Sequence, residues 1–202
     1  MKSMCTRPLL AEMGLLALLL STAACGTPPT RFYTLMPVEA AAPELVSGRK
    51  LVVGLEPVVV PAYLDRPQIV TRSSPTQIKL GEFDLWAEPL GGMTTQVLAE
   101  SIFRLAPVKT IMTLPQQREM RLDRVVDVVV RRFDCDAGSM AMLEADWRIF
   151  DRNDRQIAGS RFQAQSPISG SDDYSAMVSG MSHSLGLLAQ EIAEVLATTA
   201  RD

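Results

Sequence analysis

Apolar side chains near the carboxyl end, Tyr174, Met177 or Val178, Met181, Leu185, Leu188, Ile192 and Val195, recur at steps of three and four. That spacing lines them along one stripe of an α-helix. The stripe predicts a helix from about Asp172 to Ala200, roughly 43 Å long at 1.5 Å per residue. A helix so long and so one-sided needs an apolar surface of matching length, which is either a sheet face or another subunit. Asp172 and Asp173 stand where a helix dipole favours anions, and Ser171 or Asp172 is placed to cap the free amides.

The rest of the chain supplies the strands for such a sheet. Arg31 to Met36 reads as a first strand ended by Pro37, and an Ala- and Pro-rich loop follows over Glu39 to Gly48. Leu51 to Val60 is a dense run of β-branched residues, expected as a buried strand with Pro57 and Pro61 bending or ending it. Pro61 to Arg66 reads as a turn, and Gln68 to Arg72 pairs with Gln77 to Leu80 across a polar turn. Leu90, Met93, Val97, Leu98, Ile102 and Leu105 mark a second amphipathic helix over Leu90 to Leu105. Val108 to Met112 and Leu122 to Phe133 are expected strands, the latter central. Met140 to Phe150 and Ile157 to Gln165 form a hairpin through the tract DRNDRQ. The fold class is therefore α+β: a mixed, largely antiparallel sheet packed against two main helices, one of them C-terminal.

At the other end, Lys2 and Arg7 precede an apolar stretch from Leu9 to Leu20 broken by Glu12, and small residues 21 to 24 lead to Cys25. This is the three-part layout of a secretory signal. Twelve residues of helix rise roughly 18 Å, well short of a hydrocarbon core of about 30 Å, which argues against a permanent membrane helix. The small pair before a cysteine resembles the lipobox of bacterial lipoproteins, with Thr22 where that motif usually has Leu; an ordinary signal cut near Ala24 is the alternative. The resemblance implies acylation of Cys25 and three segments: a signal peptide over 1–24, a lipidated tether over 25–30, and a single domain over 31–202. Several acyl chains give a stable tether. Gly26, standing where an Asp commonly retains such proteins at the inner membrane, implies the outer membrane, facing the periplasm.

Composition narrows the functional classes. The 20 basic and 23 acidic residues of the full chain become 18 and 22 without Lys2, Arg7 and Glu12, a formal charge of about −4. Nucleic acid is not an expected partner, and membrane attachment has no polybasic patch to rest on. Cys5 leaves with the signal and Cys25 is taken by lipid, so Cys135 stands alone, expected as a buried small apolar residue. His183, the only histidine, lies between serines on the last helix with no metal ligands at suitable spacing, and neighbouring helical positions face apart, so neither zinc nor a Ser/His/Asp site is expected. Gly91 and Gly92 lack the partners of a phosphate loop or dinucleotide fingerprint. No cofactor and no enzymatic activity are expected.

PAYLDRPQIVTR, Pro61 to Arg72, and DLWAEPL, Asp84 to Leu90 at the head of a helix, resemble the PqiC family of envelope lipoproteins. The likeness extends to the strand FYTL, the hairpin LEADWRIFD and the terminal DDYSAMV, covering almost all of residues 31–202. It implies an auxiliary subunit of an envelope-spanning lipid transport system of MCE or ABC type that supports membrane integrity. The partner it implies is an MCE-domain protein, with a homo-oligomeric ring as one arrangement. Tyr63, Leu64, Asp65, Arg66 and Trp86 are the candidate partner interface. The structural reading of the same residues is a local Asp65–Arg66 ion pair, a turn held by Pro67, and Trp86 capping the first helix with Glu88 in its first turn. The rival function is a periplasmic lipid-binding carrier whose cleft is lined by some of the eleven methionines.

Overall fold

A computed structural model describes residues 28–37, 39, 50–115, 121–136, 140–168 and 173–200. The chain divides into Met1–Thr30, of which residues 28–30 are described and exposed, and Arg31–Asp202, which contains every strand and helix described below. The proposed signal, Cys25 and most of the Glu39 to Gly48 loop lie outside the described residues.

Eight strands form one sheet among the described residues: β1 (Arg31–Tyr33), β2 (Leu51–Leu55), β3 (Gln68–Ser74), β4 (Gln77–Trp86), β5 (Val108–Thr113), β6 (Arg124–Asp136), β7 (Met140–Asp151) and β8 (Gln156–Pro167). The helices are α1 (Leu90–Leu105) and α2 (Tyr174–Thr199). The sheet is mixed, and its antiparallel ladders β3–β4, β6–β7 and β7–β8 are longer than its parallel ones. β6 organises it. One edge of β6 is taken by β7 over its whole length. The other is shared in succession by β2, opposite residues 124–126, and β3, opposite residues 135 and 136, both parallel to it.

The two helices pack on each other, α2 across β6, β7 and β8, and α1 beside β5. The α2 stripe of Met177, Met181, Leu185, Leu188, Ile192 and Leu196 is buried, and it meets inward residues of β7 such as Leu143, Trp147 and Ile149. Gly180 marks the close approach, since a Cβ there would stand 3.2 Å from the Cβ of Ala141. Trp147 Nε1 donates to Glu191 at 2.8 Å, and the Ser166 and Ser184 hydroxyls share a hydrogen bond of 2.7 Å, so the polar atoms of this interface have partners. On the opposite sheet face, Arg131 and Arg161 both bind Asp146, and Arg148 binds Asp127, in cross-strand ion pairs. Those two arginines, Arg161 foremost, hold the Asp146 carboxyl below its usual range. The helices thus cover one face, and the other is laced with charge.

Several expectations shift. The first strand ends at Tyr33 because the chain leaves the sheet for α2, with Leu35 buried and the Met36 amide donating to Ser182 Oγ at 3.1 Å. The valine run is not one strand: Pro57 brings no N–H to a ladder, β2 stops at Leu55, and Val59 makes only an isolated bridge to Val129 while 56% exposed. Asp84 to Trp86 belong to β4 and not to a helix head; α1 starts at Leu90 after Pro89 and has no acid in its first turn, so Glu88 lies outside it. Asp173 caps α2, accepting from the Ser175 amide at 2.9 Å, while Ser171 and Asp172 lie outside the described residues. In β7 the inward set is Ala141, Leu143, Ala145, Trp147 and Ile149, which leaves Met140 and Met142 half-buried on the outer face.

Candidate interaction site

The segment between β2 and β3 fills the gap where β6 passes from one parallel neighbour to the next. Glu56 N and Val59 N donate to Val126 and Val128, and Val130 N donates back to Val59. The chain then turns tightly, with Leu64 N donating to Pro61 O at 2.9 Å and Arg66 N to Leu64 O at 2.9 Å, and Trp86 N donates to Pro67 O at 2.7 Å. This turn over residues 61–67 carries four of the five candidate interface residues.

The structure does not bring all five to one surface. Leu64 is 2% exposed and Trp86 5% exposed, so both are core residues that shape the site from beneath. Asp65 is exposed and Arg66 half-buried; with Trp86 they line an open cleft of about 280 Å³ completed by Pro67, Ala87, Glu88 and Pro89. The expected Asp65–Arg66 ion pair does not form among the described residues. Instead Arg66 Nε is buried without a hydrogen-bond acceptor, a costly state for a guanidinium donor unless an incoming group supplies one. Tyr63 faces the other way, into a cleft of about 650 Å³ with Arg72, Arg132 and Asp136.

Beneath Tyr63 lies a charged node that sequence reading did not single out. Asp134, fully buried, accepts from Arg72 Nη2 at 2.8 Å, Arg132 Nε at 2.7 Å and the Tyr63 hydroxyl at 3.2 Å. Burial, and then the nearby carboxylate, raise the Tyr63 hydroxyl above its ordinary pKa. Arg72 stands 6.0 Å from the Tyr63 ring centre, at the limit of a cation–π contact. A usable signal was present: Arg132, Asp134 and Asp136 alternate along one strand and so share a face. A similar node joins Tyr33 and Arg31 to the buried Asp84, each at 2.8 Å.

The remaining sequence readings concern single side chains. His183 is exposed on α2. Met93, Met177 and Met181 lie in the packed core, and two clefts of about 650 and 590 Å³ are lined mainly by charged and polar residues. No helix of the described residues is long and apolar enough to cross a membrane. Cys135 is fully buried, and burial pushes its thiol up to about 12, so at pH 8 roughly one thiol in ten thousand is ionised. An aromatic disulfide reagent is expected to leave Cys135 unlabelled for hours in the native protein and to label it promptly in denaturant; equal rates in both states would contradict this burial.

This is a two-layer α+β domain with a signature turn set in the seam of its sheet, and the same architecture occurs in solved structures. A crystal structure of a Xanthomonas campestris protein superposes with a TM-score of 0.68 at 19% identity, covering 84% of this chain and 97% of that one. An uncharacterized protein superposes at 0.69 with 18% identity, over 84% and 99%. A PelC dodecamer from Paraburkholderia phytofirmans scores 0.42 at 13% identity over 77% and 96%, and nothing is carried over from it. No curated protein sequence matches. Residues 33–193 match the family described as the ABC-type transport auxiliary lipoprotein component, and the chain belongs to that family. The matched span contains the PqiC-like stretches Pro61 to Arg72 and Asp84 to Leu90.

Proposed function

We propose that the protein is a noncatalytic lipoprotein of the outer membrane, anchored through acylated Cys25 and facing the periplasm, that docks an MCE-domain transport protein for lipid movement across the envelope. Family membership supports the auxiliary role in transport. The observation that carries the docking reading is the cleft beside the signature turn, where exposed Asp65 stands next to an Arg66 Nε with no acceptor above the buried Trp86. A partner carboxylate or backbone carbonyl entering there would satisfy that donor, and Asp65 would offer an acceptor to a partner amide.

The test is copurification from detergent-solubilised membranes with the MCE-domain protein. Asp65→Ala and Arg66→Ala are expected to leave folding intact and to reduce recovered partner at least tenfold. Unchanged recovery with both variants would remove the site from the reading. Phospholipid in stoichiometric amount in the purified domain, without a copurifying partner, would instead establish a carrier.

A further inference from the structure

The β3–β4 hairpin and the point where the chain enters the fold lie at the same end of the sheet. β3 runs parallel to β6 with Arg72 opposite Asp136, the last residue of β6, so residues 73–76 project beyond it. β4 returns from that tip, and β1 runs parallel to β4 with Arg31 opposite Asp84. β1 thus enters the sheet from the side of the tip. Ile78 precedes Asp84 by six residues, at most about 20 Å of strand. Cys25 precedes Arg31 by the same number, at most about 22 Å of chain. Arg124, at the opposite end of β6, is twelve residues from Asp136, about 40 Å along the strand. A tether of that length lets a lipid anchor on Cys25 set the hairpin end of the domain at the bilayer and is too short to set the Arg124 end there.

The hairpin has the chemistry for that position. From Arg66 to Gly81 the sequence contains no acid, although the chain as a whole is acidic, and Arg72 and Lys79 are its bases in the hairpin. Ile78 and Leu80 are each 38% exposed, with exposed Lys79 between them. The other tip residues are serine, proline, threonine and glutamine. The arm is also held firmly: Arg72 binds Asp134 and donates from Nη1 to Pro75 O at 3.1 Å, and Ser73 Oγ donates to Gln77 O at 3.3 Å. Aliphatic side chains beside a lysine, on an arm whose own residues 67–81 carry no carboxylate, suit the headgroup boundary of an anionic membrane; exposed Glu82 follows the arm, and Asp136 and Glu144 share a cleft with Arg72 to Pro75.

We infer that the β3–β4 tip, through Ile78, Lys79 and Leu80, is a second contact with the phospholipid surface and fixes the orientation of the domain on it. This rests on acylation of Cys25. The test uses the full acylated protein on vesicles of phosphatidylethanolamine and phosphatidylglycerol. An environment-sensitive fluorophore is attached at Ile78→Cys or Leu80→Cys, with Thr198→Cys on the remote end of α2 as reference. Cys135 is buried and does not compete for the label. Headgroup-region spin-labelled lipid is expected to quench position 78 or 80 at least threefold more than position 198, and Lys79→Glu is expected to reduce that difference. Vesicle-bound protein with equal quenching at all three positions overturns the inference and leaves the anchor standing. Protein that does not float with the vesicles overturns both.

Discussion

Asp134→Ala is expected to lower stability by about 3–5 kcal/mol, the range for removing one member of a buried charge cluster. The carboxylate is fully buried, while Arg72 and Arg132 retain about a fifth of their side-chain exposure. Its loss would take the shared buried acceptor from Arg72, Arg132 and the Tyr63 hydroxyl and leave a void, with Arg72 still bonded to Pro75 O and Arg132 to Asp136. Urea unfolding followed by circular dichroism measures the change, and for a chain of this length each kcal/mol corresponds to roughly 2–4 °C in Tm. Asp127→Ala provides the contrast. Its pair with Arg148 lies on the open sheet face, where half of the arginine is exposed, and the expected loss is under about 1 kcal/mol. Equal losses in the two variants would mean that the Asp134 node is solvated.

Trp86→Ala is expected to cost a similar 3–5 kcal/mol, as for other buried aromatic truncations. Trp86 is 5% exposed in the core, and its amide ties β4 to the signature turn at Pro67. A binding defect in this variant would therefore report lost structure before it reported a lost contact. Asp65→Ala, on the exposed part of the turn, is expected to change stability by less than about 0.5 kcal/mol. The two denaturation midpoints separate the scaffold of the site from its surface. A Trp86→Ala protein as stable as the parent would place the indole outside the core.

What could be read before folding was whatever repeats with a period. The α1 stripe gave Leu90 to Leu105 without error, and the α2 stripe gave its length to within two residues at the start and one at the end. Periodicity failed where the chain stops being periodic. The run from Leu51 to Val60 looks uniform in composition, yet Pro57 and the crowding of two strands on one edge of β6 divide it. The sequence suggests Trp86 as a cap on the helix that DLWAEPL introduces, whereas the parallel pairing of β1 extends β4 to that residue. The candidate site was half legible. The turn was correctly placed, but burial of Leu64 and Trp86, and the orientation of Tyr63 toward Asp134 at a sequence distance of 71 residues, depend on tertiary contacts that no local pattern encodes.

Because β6 borders β2 at one end and β3 at the other, neither flank of the sheet is expected to melt by itself. Detaching β1, β4 and β3 uncovers the last residues of the same strand whose first residues hold β2 and, through β2, β5. The strand order couples the flanks, so damage introduced at either one is expected to be shared by the whole domain, with circular dichroism and tryptophan fluorescence showing one coincident unfolding transition.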